Sequence, residues 1–171
     1  MMMVNGAIGY SEPGRFVIVG SAQTDTNNLV FGRDIDIAAW VARNLPTVGD
    51  DGFGPCTAIG VMRNGEVIAG VVFHGYRQTY SSIDVSIFST SPAWASKRTI
   101  AQILAYPFIQ LGCRRVAAQV EAKNTRAQKF LTGIGFVREG VARLGYGHDH
   151  AALYSMLRKE YDRLVKRYSH G

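Results

Sequence analysis

Residues Arg114–Arg143 read RRVAAQVEAKNTRAQKFLTGIGFVREGVAR, and this stretch decides the fold. Val116, Ala118 and Val120 alternate with Ala117, Gln119 and Glu121, a period of two that predicts a strand over Arg115–Glu121. Asn124 stands where an N-cap belongs, because its side chain can accept a bond from the first free amides of a helix. Ala127, Phe130 and Leu131 then repeat at helical spacing, and Gly133 is expected to stop the helix. Phe136 and Val137 open another strand.

Upstream, Lys97–Leu111 carries the strongest helical pattern in the chain. Ile100, Ile103, Leu104, Phe108 and Leu111 share one face, Gly112 terminates it, and Pro107 should kink the last turn. Cys56–Arg63 and Glu66–Tyr76 are apolar runs joined by Asn64-Gly65, which suits the two positive φ angles of a tight hairpin turn. Ser82–Thr90 alternates Ile83, Val85 and Ile87 against Asp84, Ser86 and Phe88. Glu66–Tyr76 is therefore expected between the other two runs in an antiparallel array. Helix Lys97–Leu111 then links Ser82–Thr90 to a parallel neighbour, Arg115–Glu121, since such crossovers need a helix.

Nearer the start, Asp34 is expected to cap a helix with Ile35, Ala38, Ala39, Ala42 and Leu45 on its apolar face, ended by Pro46. Thr47–Pro55 is a loop by composition. Residues 1–33 offer one strand, Phe16–Val19, and no further assignment. Ala151–Leu157 reads as a last strand, and Glu160–Tyr168 as a charged helix or tail, residues 160–171.

The 171 residues are enough for one core and too few for two ordinary domains, so one domain over 1–171 is expected. No run approaches 18 apolar residues, and the N-terminus has no basic region leading into an apolar one. Two cysteines, Cys56 and Cys113, lack disulfide or metal spacing and fit free thiols in a reducing cytoplasm. Charge is divided unevenly. Residues 1–90 hold five Arg against eight acids, net −3; residues 91–171 hold fourteen basic residues against five acids, net +9. Such asymmetry points either to a polyanion near the second half, a phosphate-bearing cofactor or nucleic acid, or to a solvated basic surface and tail carrying Arg158, Lys159, Arg163, Lys166 and Arg167.

Asn124, Arg126 and Ala127, followed by Gly135-Phe136 and Glu139-Gly140, resemble the last half of the GCN5-related N-acetyltransferases, in the branch that acetylates ribosomal-protein amino termini. The likeness runs over residues 56–160. It implies an α+β fold, a single domain whose central mixed sheet splays between its fourth and fifth strands and is flanked by helices. The implied activity is acetyl transfer from acetyl-CoA to a primary amine by direct attack in a ternary complex. Implied partners are acetyl-CoA and an amine acceptor, with no membrane; a homodimer is compatible. By the same resemblance the backbone of Ile87, Phe88 and Ser89 would meet the pantetheine arm, and Asn124 would bond to it. The phosphate loop would be Trp94–Thr99, with Ser96, Lys97, Arg98 and Thr99 at the helix start, where unpaired amides attract anions. Arg126 would add charge toward the adenosine phosphates. This chain departs from the family in that loop. Counting back from Phe108 puts Trp94 at the family's first glycine and Ser96 at its last, and glycine is what lets backbone approach phosphate closely. A binding protein of this fold that has lost coenzyme A, and a nucleic-acid-directed basic protein, are the alternatives this leaves.

Amine acetylation needs a group to take a proton from the acceptor and another to protonate the departing thiolate. Glu121, at the end of its strand, is the first candidate base, with Asp84 and His74 behind it. Tyr154 is the candidate acid, because the family often uses a tyrosine on its final strands. His148, Asp149 and His150 read as a polar loop, since no further metal ligands accompany them.

Overall fold

The computed structural model describes residues 8–9, 17–18 and 27–169. Their elements are β1 (Ile8–Gly9), β2 (Val17–Ile18), β3 (Asn28–Val30), α1 (Asp34–Asn44), β4 (Cys56–Arg63), β5 (Glu66–Arg77) and β6 (Ser82–Ser89). There follow α2 (Lys97–Ala105), β7 (Arg115–Glu121), α3 (Thr125–Ile134), β8 (Val137–Ala142), β9 (Ala151–Leu157) and α4 (Arg158–Ser169). Of the strand expected at Phe16–Val19, Val17–Ile18 is present and the flanking residues lie outside the described ones. The described residues gather into two compact units, one of those up to His74 together with Ser86–Thr99, the other of Gly75–Val85 together with those from Ile100.

In the first unit β4 pairs antiparallel with β3 and β5, turning through Asn64 and Gly65 at φ 51° and 79° as their dipeptide requires. The second half of β6 returns along β5: the Thr90 N–H donates to the Ile68 carbonyl at 2.9 Å, and His74 Nε2 bonds Ser86 Oγ at 2.9 Å. Helix α1 packs on this sheet, but not by the face its spacing suggests. Ile37, Ala38, Trp40 and Val41 are the buried residues, while Ile35 is 86% exposed. The reason lies in the sheet. Gly60 and Gly70 leave notches into which Ile37 and Val41 fit, so the larger side chains lie inward. Asp34 is not the cap either. It is the first helical residue, and its carboxylate accepts the Ala58 N–H at 2.7 Å, tying the helix to β4. Leu45 turns extended before Pro46, as a residue preceding proline should.

In the second unit β6 and β7 run parallel through Ser82↔Arg115, Ile83↔Val116 and Asp84↔Ala117, and β9 pairs antiparallel with all of β7 and with β8. Ile100, Ile103, Leu104 and Phe108 are buried as their periodicity predicts. Pro107 has no N–H to give and turns the end of this helix into a π turn, Tyr106–Gln110, closed by the Leu111 N–H on the Tyr106 carbonyl at 3.0 Å. Phe108 stacks on Tyr161 of α4 with ring centroids 5.0 Å apart. Helix α3 ends at Gly135, φ 106°, rather than at Gly133, which stays helical. Of the two glycines only Gly135 takes the left-handed cap, and the Phe136 N–H that follows it donates to Leu131 O at 2.9 Å.

Candidate active site

The first group of expected site residues lies where β6 leads into α2. Phe88 uses its ring for packing, edge-on to Trp40 at 5.2 Å, so any ligand contact at Phe88 falls to its backbone. Past Ser89 the chain makes a 3-10 turn, Pro92–Trp94, started by Ser91, whose Oγ accepts the Ala93 N–H at 3.2 Å. Trp94 is 2% exposed, so the indole standing where the family has glycine is folded inward rather than across the loop. Asn27 holds that shape: its Nδ2 donates to the carbonyls of Ala93 and Trp94 at 3.0 and 3.2 Å and reaches Thr99 Oγ1 at 3.4 Å. Nothing in the sequence advertised Asn27; its partners lie 66 to 72 residues along the chain.

Ser96 caps α2. Its Oγ accepts the Thr99 N–H at 3.1 Å and pairs with Thr99 Oγ1 at 2.8 Å, and Thr99 itself is buried. These two hydroxyls are therefore engaged in building the helix start. Lys97 and Arg98 beside them are exposed, and α2 has no acid in its first turn. A helix start with positive side chains, its bulky residue turned inward, fits a phosphate-bearing group.

The second group surrounds the end of β7. Asn124 caps α3, its Oδ1 accepting the Ala127 N–H at 3.0 Å, while its own N–H donates to the Glu121 carbonyl at 2.9 Å. Arg126 follows, exposed. Glu121 is paired with Nε2 of His148. Tyr154 is 3% exposed, and its hydroxyl donates to Gln128 Oε1 at 3.2 Å; Gln128 in turn donates from Nε2 to the Ala122 carbonyl at 2.8 Å. That is the setting of a core aromatic with a satisfied hydroxyl. Asp84 is also engaged, in a two-pronged pair with Arg77 at 2.8 and 3.0 Å. It sits beside Ala117, four residues and about 13 Å along the strand from Glu121.

The loop between β8 and β9 carries what sequence spacing could not show. Asp149 accepts the Lys123 N–H at 3.1 Å and the His150 N–H at 2.8 Å, and these bonds hold its carboxyl below the usual range. His150 Nδ1 accepts the Leu144 N–H at 2.8 Å, and Tyr146 donates its hydroxyl to the Gln119 carbonyl at 3.0 Å. Among the described residues no cluster of three or more His, Cys, Asp or Glu is placed to hold a metal ion. Glu139 is structural in a different way: Arg115 grips it with both guanidinium nitrogens and Ser155 donates to it, which lowers its pKa to about 2. Burial pushes the Cys113 thiol up, and burial with the nearby Asp34 does the same to Cys56, so neither is primed as a thiolate nucleophile. No described helix is long and apolar enough to cross a membrane.

Solved structures that superpose on this chain include acetyltransferases. A spermidine N-acetyltransferase variant from Vibrio cholerae superposes with a TM-score of 0.67 at 15% identity, over 81% of this chain and 97% of that one. A probable acetyltransferase gives 0.55 at 22% identity over 63% and 64%, so the matched part of this chain spans less than two thirds of that protein's length. A ribosomal-protein-S5-alanine acetyltransferase from Vibrio fischeri gives 0.54 at 17% identity over 62% and 63%. At these identities the likeness is one of fold. No protein-family model and no curated protein matches the sequence.

Proposed function

We propose that this chain, which has the fold of the GCN5-related N-acetyltransferases, transfers an acetyl group from acetyl-CoA to a primary amine. The observation that carries the reading is the start of α2. There a family glycine has become Trp94, yet the indole is buried and exposed Lys97 and Arg98 flank a capped helix end. The amides and charged side chains of Lys97 and Arg98 would receive the phosphates, and the backbone of Ile87–Ser89 the pantetheine arm. Acetyl-CoA supplies an activated thioester, and the chain's part is to orient an amine and remove its proton. With both thiols held protonated and Asp84 tied to Arg77, Glu121 at the end of β7 is the carboxylate that would assist the proton's departure. The free thiols also suit a reducing cytoplasm.

Calorimetric titration with acetyl-CoA tests this. A ligand that binds only the folded chain stabilises it by about 2.7 kcal/mol at a hundredfold excess over Kd, so a matching rise in melting temperature is expected. Neither heat nor a shift at millimolar acetyl-CoA, together with salt-sensitive RNA or DNA binding, would transfer the +9 half to a nucleic-acid role.

A further inference from the structure

We propose that His148 is the group that takes the acceptor's proton, and that Glu121 is the positioning residue behind it. The inference rests on the acetyl-transfer reading above and names the base within it. Nε2 of His148 faces Oε1 of Glu121. An ionised carboxylate can only accept, so the ring nitrogen facing it carries the hydrogen, and in neutral imidazole the lone pair is left on Nδ1. The His148 side chain is 66% exposed and that of Glu121 33%, so the imidazole is the more open of the two to an incoming ammonium. An imidazole is also better matched to neutral pH than a carboxylate, because a base works best near its own titration range. A carboxylate behind a histidine, holding its tautomer and stabilising the imidazolium that forms, is the arrangement that activates histidine bases on unrelated folds.

The loop is built to hold this pair. Tyr146 on one side of His148 is bonded to Gln119, and Asp149 on the other to the Lys123 amide, so both flanks are fastened to the end of β7. The Ala122 N–H donates to the His150 carbonyl at 2.9 Å. Leu144 is held at φ 50°, which a leucine adopts only where its surroundings impose it, and its N–H is fixed by His150. The charged group that the His148 side chain meets is Glu121 on β7; Tyr146 lies beside Glu121, and Asp149 beside Lys123 and His150. Asp149 and His150 are committed to backbone amides. Burial and the neighbouring Glu121 push the Tyr146 phenol up, so it stays neutral and does not compete for the role.

The proton count agrees. An ammonium and an acetyl thioester give an amide, a thiol and one proton. Nδ1 of His148 takes the first N–H proton, freeing the nitrogen lone pair; the C–N bond forms as the C–S bond breaks, the second N–H proton goes to sulfur, and the imidazolium returns its proton to water.

Two measurements test this on the full chain. Long-range proton–nitrogen NMR should show neutral His148 protonated at Nε2 in the wild type and a mixed tautomer in Glu121→Gln; a wild-type His148 protonated at Nδ1 overturns the proposal whatever the activity. In turnover assays with a panel of primary amines, His148→Gln should lower kcat by roughly 10²–10⁴-fold and remove the acidic limb of the pH–rate profile. Its melting temperature and acetyl-CoA affinity should stay at wild-type values. Glu121→Gln should cost less and keep the limb, displaced. Equal transfer by wild type and His148→Gln, or a greater loss in Glu121→Gln, overturns this proposal alone. No transfer by the wild type to any amine overturns the acetyl-transfer reading, and this proposal with it.

Discussion

Replacing Gly70 by alanine tests how α1 is seated on its sheet. A Cβ at this position would lie 2.5 Å from Val41 Cγ2, 3.1 Å from Ile37 Cγ2 and 3.4 Å from Trp40 Cε3. The first distance is more than 1 Å inside ordinary carbon contact. Val41 cannot swing aside, since it is fully buried and a β-branched side chain in a helix has essentially one χ1. The helix must therefore lift or the strand bend, and overpacking of this kind costs about 1–3 kcal/mol. For a chain of this size that corresponds to a loss of roughly 2–12 °C in melting temperature. Urea titration reads the cost at constant m-value. The decisive measurement is the cycle with Val41→Ala: removing Cγ2 vacates the contested space, so the double variant should be more stable than the sum of the singles by at least ~1 kcal/mol. Strict additivity, or a Gly70→Ala protein as stable as the parent, would refute the notch as the reason α1 presents Ile37 and Val41 inward.

Other outcomes follow from the site. Lys97→Glu with Arg98→Glu should weaken acetyl-CoA binding at least tenfold in calorimetry and reduce its salt dependence, because exposed charges act through a screened field; unchanged affinity would remove the helix start from the binding role. Tyr154→Phe should lose about 0.5–1.5 kcal/mol of stability for its bond to Gln128 and leave turnover within a few-fold. A fall of a hundredfold or more would make it the proton donor after all. Glu139 has its pKa lowered from 4.5 to about 2, so its stabilisation is present above pH 4.5 and is lost as pH falls through about 2. Melting temperature should accordingly fall less steeply between those limits in Glu139→Gln than in the parent.

Much of the architecture could be read from local signals. The period-two run at Arg115–Glu121, the Asn64-Gly65 turn, the capping Asn124 and the helix from Lys97 each carry their cause within a few residues, and each is present in the structure. The failures have a common origin in distant neighbours. Ile35 looked like a core residue because α1 has two apolar stripes, and only the notches at Gly60 and Gly70 decide which one is buried. Gly133 and Gly135 are equivalent as letters, and the left-handed cap falls at the second. At the site, Glu121 was legible as an acid at a strand end. Its partner His148 lies 27 residues away on a loop whose register depends on Asp149, His150 and Tyr146. Tyr154 matched a family habit, while its burial came from strand pairing no short window contains.

Asn27 has a consequence for how freely the loop Pro92–Trp94 can vary. In a glycine-containing phosphate loop the shape is written into the loop's own letters. Here the carbonyls of Ala93 and Trp94 are held by a side chain that enters from β3's doorstep, far back in the chain. Once an outside strut carries the curvature, the loop's spelling is free to drift while its outline persists.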